Sequence, residues 1–412
     1  MSLNVKNYLS TFKLDNQNNL FKKEKTKIQT AKINGIVVTK YINEYWTARQ
    51  RQSNSIHEIS YRACFKAELP RFFIELFSKK NDIIYDPFAG RGTTLIEAAL
   101  NQRNFICNDI NPLSKIFIEP RLNIPNIKNL EERLCSIKID SKLKSDIDLS
   151  MFFHKKTLQE ILSIKNYLHK KKKQNKEDIV DKWIRLLATN RLTGHSKGFF
   201  SVYTLPPNQA TNPKRQKKIN LKRNQKPEYR DTKKLILKKS HSLLKDLDAI
   251  TKRNLRKILL NGVFLKKNAA NTNEIKNNCI QLTVTSPPFL DTVDYISDNW
   301  LRFWFNNIDP NKLSKKVSII KSLDDWCLLI KKVFIELFRI TKKNGYVAFE
   351  VGEIRNKKIN LDEYVVNIGI ESGFECEGIL LNQQNFTKTS NIWGINNNKS
   401  GTNSNRVVIF KK

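Results

Sequence analysis

Short apolar runs alternate in this chain with stretches where apolar positions recur every three or four residues, the joint signature of an α/β protein. Residues 82–85 (Asp-Ile-Ile-Tyr) and 104–107 (Asn-Phe-Ile-Cys) predict two buried strands. Between them Gly90 and Gly92 mark a turn, and a helix is expected over 94–100. Ahead of the first strand, Tyr61, Cys64, Phe65, Leu69, Phe72, Phe73, Leu76 and Phe77 stand at near-helical spacing across residues 60–77, with a kink expected at Pro70. Another helix begins over 112–117. Residues 263–265, 281–285 and 346–351 predict third, fourth and fifth strands, 326–340 and 361–372 two helices, and 406–410 a closing strand. Strand, glycine turn, helix, strand and acidic residue, in that order, open a doubly wound, Rossmann-like nucleotide-binding fold.

The third strand comes late, because a long, mostly helical, basic stretch precedes it. The expected organisation is a loosely ordered arm (1–35), the first part of the sheet domain (36–123), an insertion (124–257) and the second part of the sheet domain (258–412). Of the net charge of +35, residues 151–260 hold +21, from 29 Lys and Arg against 8 Asp and Glu. A lysine-rich composition raises the average but does not concentrate it, so the insertion is expected to face a polyanion. No window reaches the roughly 18 uncharged apolar residues of a membrane span. Residues 1–23 lack the apolar core of a secretory signal, and cytoplasm is the expected compartment. The six cysteines include no Cys-x-x-Cys and no nearby histidine at ligand spacing; they read as reduced thiols, mostly in the core, and no metal site is expected.

Gly90 and Gly92 let the backbone approach a ligand where a side chain would block it. The helix start behind them offers free N–H groups to a carboxylate. Asp109, at the end of the second strand, is placed to accept hydrogen bonds from a ribose diol. The loop lacks the Gly-Lys-Ser/Thr ending that grips a triphosphate, so a nucleoside with a short charged tail, such as S-adenosylmethionine, fits it better.

The run Asp86-Pro87-Phe88-Ala89-Gly90-Arg91-Gly92-Thr93-Thr94 resembles the Asp-Pro-Phe-x-Gly-x-Gly-Thr-Thr cofactor motif of the amino-methylating DNA methyltransferases. Asn108-Asp109-Ile110-Asn111-Pro112 is similar to their acidic second motif, and Ser286-Pro287-Pro288-Phe289 to their catalytic tetrapeptide. The resemblance covers residues 55–120 and 260–410 and leaves the insertion outside. It implies a class I methyltransferase sheet and S-adenosylmethionine as cofactor, held by Asp86, Phe88, Gly90, Gly92, Thr93 and Asp109. Phe65 and Lys66 would cover its methionine end, and Asn268, just past the third strand, joins the same set. It also implies double-stranded DNA as substrate and admits a cognate restriction endonuclease as partner. Cofactor motif before catalytic motif excludes the permuted order in which this cofactor motif is most often found.

Cytosine N4 and adenine N6 are poor nucleophiles, since their lone pairs are delocalised into the ring. Ser286 Oγ and the Pro287 carbonyl can accept the amino protons and draw the lone pair out. Pro287 and Pro288 stiffen the loop. Phe289 can stack on the extruded base, contributing about 1–3 kcal/mol against the few kcal/mol that flipping costs. Serine in the first position is the family's cytosine-N4 form, and aspartate or asparagine its adenine-N6 form, so cytosine N4 is expected ahead of adenine N6. Transfer to cytosine C5 needs a cysteine nucleophile, normally after a proline, and none of the six cysteines follows one. An RNA methyltransferase and a DNA-binding protein with a decayed core are the alternatives; intact Gly90, Gly92, Asp109 and Ser286 stand against decay.

Within the insertion, Arg191, Lys214, Arg215, Lys217, Lys218, Lys222 and Arg223 are interleaved with Phe199, Phe200, Tyr203 and the loop formers at 206–209. Lys and Arg neutralise phosphates while Arg, Asn and Gln reach base edges, so this region is the expected DNA-contacting surface.

Overall fold

The computed structural model describes residues 4–13, 25–46, 53–62, 64–205, 210–288, 295–314, 322–354, 359–383 and 404–412. Its strands are β1 (Lys27–Ile33), β2 (Ile36–Asn43), β3 (Ile83–Asp86), β4 (Asn104–Asn108), β5 (Val263–Leu265), β6 (Ile280–Thr285), β7 (Thr341–Val351), β8 (Glu353–Ile354), β9 (Ile359–Asn360), β10 (Glu375–Gln383) and β11 (Ser404–Lys411). Nine of them form one sheet in the order β1-β2-β10-β11-β7-β6-β3-β4-β5, while β8 and β9 pair separately. From β5 to β7 all neighbours are parallel, and β11 runs antiparallel to both β7 and β10. The winding reverses between β3 and β6: β4 and β5 lie to one side, β6 and β7 to the other. Loops leaving adjacent strands in opposite directions open a crevice at their carboxyl ends. The α/β doubly wound expectation holds.

Helices cover both faces, which is why β3 and β6 carry Ile84, Tyr85, Leu282 and Val284 at 0% exposure. One apolar cluster joins Phe73, Leu95 and Phe117 beneath helices Glu68–Phe77, Thr93–Leu100 and Leu113–Leu122; a second joins Trp326, Val333, Phe349 and Val365 beneath helices Leu323–Ile340 and Leu361–Glu371.

Three expectations change. The arm is ordered over its described residues: helix Val5–Thr11 buries Val5 and Leu9, and β1 and β2 extend the sheet beyond β10. Most of β1 is exposed at the sheet edge, so it carries no apolar run to betray it. The helix before β3 starts only at Glu68, which makes Pro70 its third residue; a proline in the first turn removes no intrahelical bond and produces no kink. The cysteines are mostly not core, since Cys107 is buried, Cys135 exposed and the other four intermediate.

The insertion packs into the core of the sheet domain. Leu130, Ile161, Trp183, Leu187, Leu243 and Leu255 belong to the same apolar cluster as Phe73 and Leu95. Ser55 Oγ donates to the Leu243 carbonyl at 2.9 Å, and Asn190 Nδ2 to that of Ser60 at 3.0 Å. Helix Pro213–Lys222 is the exception, with Gln216 as its one buried residue. Among the described residues no helix is long and apolar enough to cross a membrane, and no cluster of His, Cys, Asp or Glu could hold a metal ion.

Candidate active site

β3 ends at Asp86, and after residues 87–92 the chain enters helix Thr93–Leu100. Gly90 and Gly92 carry φ of +51° and +79°. A Cβ on Gly92 would also collide with Ile118 of helix Leu113–Leu122, whereas one on Gly90 would meet nothing nearer than Tyr61 Cε1 at 3.6 Å. The turn at Gly90 therefore lies in van der Waals reach of the Tyr61 ring. Gly90 N–H donates to Asp109 Oδ2 at 2.7 Å and Asn111 N–H to Asp109 Oδ1 at 2.8 Å. Burial nonetheless pushes the Asp109 carboxyl up to about 6.

Buried Asn108 joins two loops: its Nδ2 donates to the carbonyls of Pro87 (3.3 Å) and Lys267 (3.1 Å), and its Oδ1 accepts from Lys267 N–H at 2.9 Å. Asn268, exposed and next in the chain, caps the following turn by accepting from Ala270 N–H at 3.0 Å. On the other flank Arg91 donates to the carbonyls of Ile59 at 2.8 Å and Phe65 at 3.4 Å and to Thr93 Oγ1 at 3.2 Å. It thereby holds half-buried Phe65 and Lys66 beside the glycine turn; burial lowers the Lys66 ammonium, against the opposing pull of Glu68. Arg121, fully buried, donates to the carbonyls of Phe117 at 2.7 Å, Ile56 at 3.2 Å and Arg91. Among the described residues no carboxylate answers it, and burial pushes its guanidinium down to about 9.

β6 brings the tetrapeptide to the same sheet edge. Thr285 Oγ1 donates to Asp86 Oδ1 at 2.7 Å, and Thr94 Oγ1 donates to the Val284 carbonyl at 3.0 Å. Phe88 N–H also donates to Asp86, at 3.1 Å. Burial drives the Asp86 carboxyl up to about 7, with the Asp109 charge adding to the effect. On β7, buried Glu350 accepts from Asn405 Nδ2 at 3.1 Å; burial raises its carboxyl, against the opposing pull of Ser286 and Asn405. The Pro288 carbonyl accepts from Trp326 Nε1 at 3.1 Å, so helix Leu323–Ile340 braces the loop from behind. Among the described residues no donor takes the Pro287 carbonyl. Phe289, Asp291 and Asp294 lie outside the described residues. Tyr61 and Tyr295 stand near Asp109, and their phenols are raised first by burial and then by its charge.

Asn108, Arg121, Trp326 and Glu350 escape the motif reading. A signal existed for the last: a glutamate inside the apolar run Tyr346-Val347-Ala348-Phe349-Glu350-Val351 is a buried acid in need of a reason.

Of the expected DNA contacts, Lys214, Arg215, Lys217, Lys218, Lys222 and Arg223 are exposed on or just after helix Pro213–Lys222. Gln216 Nε2 donates to the Tyr203 carbonyl at 3.0 Å, Asn220 Nδ2 to that of Met151 at 2.8 Å, and Arg223 lies 3.9 Å over the Tyr203 ring. The helix is rooted close to the site: Ala210 N–H donates to the Asp298 carbonyl at 3.0 Å, and the Asp298 carboxylate pairs with Arg62 at 2.7 Å. Arg191 is a correction. It is 9% exposed, its guanidinium lies 3.9 Å over the Phe199 ring, and burial pushes it down to about 10, so it packs the interior and presents nothing to DNA. Residues 206–209 lie outside the described residues.

The strand order, the glycine turn at the switch point and the carboxylate after β4 are those of a Rossmann-like nucleoside-binding fold, and the matches that follow support S-adenosylmethionine as its cofactor. A family profile described as DNA methylase matches residues 4–117. The chain is 26% identical over 377 residues to the Type II methyltransferase M.BsoBI of Geobacillus stearothermophilus, across 82% of this chain and 74% of that protein. Both matches support the amino-methylating DNA methyltransferase family. Solved structures that are similar include a SAM-dependent methyltransferase of Methanosarcina mazei (10% identity, 82% of this chain and 96% of that one, TM-score 0.33). A TehB-like SAM-dependent methyltransferase of Corynebacterium glutamicum is another (6% identity, 83% and 86%, TM-score 0.30). The rRNA methyltransferase aviRa of Streptomyces viridochromogenes is a third (8% identity, 89% and 94%, TM-score 0.33). All three are too distant to weigh beside the strand order.

The residues present fit the cofactor. The Asp109 oxygens, each taken by one amide, keep lone pairs for a diol. A side chain at Gly90 would add bulk between the turn and the Tyr61 ring, so the glycine keeps the backbone accessible at that point.

Proposed function

We propose that this chain transfers a methyl group from S-adenosylmethionine to the exocyclic amino group of a base flipped out of double-stranded DNA, with cytosine N4 as target. The observation that carries the reading is the pair of hydrogen bonds that tie the strand ending at Ser286 to the glycine turn, Thr285 Oγ1 to Asp86 at 2.7 Å and Thr94 Oγ1 to the Val284 carbonyl at 3.0 Å. The Ser286 oxygen has lone pairs for the amino hydrogen of a base. The Pro287 carbonyl takes the second amino hydrogen, and Phe289 stacks on the ring. The cofactor, when bound, supplies an electrophilic methyl; Asp109 holds its ribose, and Phe65 and Lys66 lie over its methionine end. The lysines and arginines of helix Pro213–Lys222 grip phosphates beside the mouth of the site. Serine in the first position of the tetrapeptide, in place of the acidic or amide residue of the adenine form, favours cytosine.

Single-molecule sequencing of DNA from cells expressing this chain tests the reading. N4-methylcytosine at one recurring sequence is expected. N6-methyladenine would move the target base, and unmodified DNA alongside methylated tRNA or rRNA would overturn the substrate.

A further inference from the structure

A cavity of about 340 Å³ opens between helix Leu113–Leu122, the segment Phe264–Lys266 and the insertion helices Lys155–Lys173 and Ile179–Arg191. Five cations line it: Lys115, Lys172, Lys182, Arg185 and Lys266. Three acids answer them: Asp109, Glu119 and Glu177. Lys182 sits on Glu119 at 2.6 Å, with Lys115 sharing that carboxylate at 3.8 Å, and Arg185 sits on Glu177 at 2.5 Å. The third acid is engaged by the amides of Gly90 and Asn111. That leaves Lys172, from the insertion, and Lys266, from the end of β5, with no carboxylate partner among the described residues.

The imbalance is felt inside the cavity. Burial, then the charges of Arg185, Lys266 and Lys115, depress the Lys172 ammonium, with only Glu177 opposing. Like charges brought together from separate elements raise the energy of the empty site, and an anion relieves it. Phe264 adds a flat apolar wall, with Lys115 Nζ 5.5 Å from its ring centre. Asp109, which on the proposed reading holds the cofactor ribose, closes one end of the cavity; S-adenosylmethionine carries no phosphate, and its one carboxylate is proposed for the helix start behind the glycine turn, so the cofactor leaves Lys172 and Lys266 unanswered.

We propose that this cavity is a second anion site that takes a phosphate group, with Lys172 and Lys266 as its charged jaws and Phe264 as its wall. The phosphate comes either from a free nucleotide or from a nucleic-acid backbone. The cavity stands whether or not the cytosine-N4 reading does.

The test uses the full chain and the double variant Lys172→Glu/Lys266→Glu. Both positions are exposed, so the fold tolerates the exchange, and a thermal melt verifies it. Binding of deoxyadenosine 5′-monophosphate is measured with S-adenosylmethionine present, with deoxyadenosine as the phosphate-free control. A nucleotide source predicts monophosphate binding at least tenfold tighter than the nucleoside, weakened tenfold or more in the variant. A backbone source predicts no mononucleotide binding, and a log–log salt slope of duplex binding that falls by about 2 in the variant, near one per lost contact. No monophosphate binding together with an unchanged slope overturns the proposal, and so does monophosphate binding that S-adenosylmethionine abolishes. A chain that binds no DNA defeats the proposed function but leaves the mononucleotide measurement decisive here.

Discussion

Thr285 donates its hydroxyl hydrogen to Asp86 at 2.7 Å, which ties the residue before Ser286 to the first residue of the glycine turn. The acceptor is titratable near neutrality, since its carboxyl is raised to about 7. A raised acid binds its proton more tightly folded than unfolded, so its contribution to stability is present at low pH. That contribution is lost as pH climbs from about 4 through about 7, at up to about 1.4 kcal/mol per unit. Melting curves between pH 5 and pH 8 should show Asp86→Asn gaining on the parent as pH rises. A constant gap would show that Asp86 does not titrate there.

Asp109 titrates slightly lower, at about 6, and its ionised form is the better acceptor for a diol. Calorimetric titration with S-adenosylmethionine should find affinity steady above pH 7 and falling by up to tenfold per unit below pH 6. Asp109→Asn should bind weakly throughout, without the step.

Ser286→Ala should lower kcat by about a hundredfold, the loss expected of one positioned acceptor, while dissociation constants for DNA and S-adenosylmethionine move less than threefold. Glu350→Gln keeps an oxygen facing Ser286 but not the charge, and a smaller fall in kcat is expected. Weakened DNA binding with kcat intact would remove Ser286 from the chemistry.

Gly92→Ala meets a left-handed φ and the Ile118 side chain together. Strain and overpacking should cost about 2–4 kcal/mol. Adding Ile118→Ala should restore the packing share alone, leaving the double variant below the parent in a denaturant titration.

Reversing Lys214, Arg215, Lys217 and Lys218 should weaken duplex binding and flatten its log–log salt slope by about 3 to 4. Arg191→Ala should instead lower the melting temperature and leave the slope alone, because that side chain fills space against Phe199. Equal effects from the two would mean the basic helix is not the contact surface.

The switch-point half of the fold was legible because β3 and β4 are buried on both faces and carry short apolar runs, Ile83-Ile84-Tyr85 and Phe105-Ile106-Cys107, while β6 alternates Ile280, Leu282 and Val284 with Gln281, Thr283 and Thr285. β1 was not, since an edge strand exposes most of its residues, and β10 was hidden by its glycine at the bulge between Cys376 and Gly378. In the site, Gly90, Gly92, Asp109 and Ser286 announced themselves by residue type at fixed offsets. Arg121 and Trp326 did not, because what they do depends on carbonyls far away in sequence, those of Ile56 and Pro288. Arg191 misled for a related reason: a charge count cannot tell a guanidinium laid on a ring from one aimed at solvent.

The insertion's share in the core under helix Thr93–Leu100 bears on how enzymes of this kind change their target sequence. A recognition unit joined by flexible linkers can be traded between relatives as a cassette. Here such a trade would strip Trp183, Leu243 and Leu255 from the floor beneath the cofactor half. On the proposed reading, point changes on the exposed helix Pro213–Lys222 could alter specificity without disturbing the core, since only Gln216 there is committed to the fold.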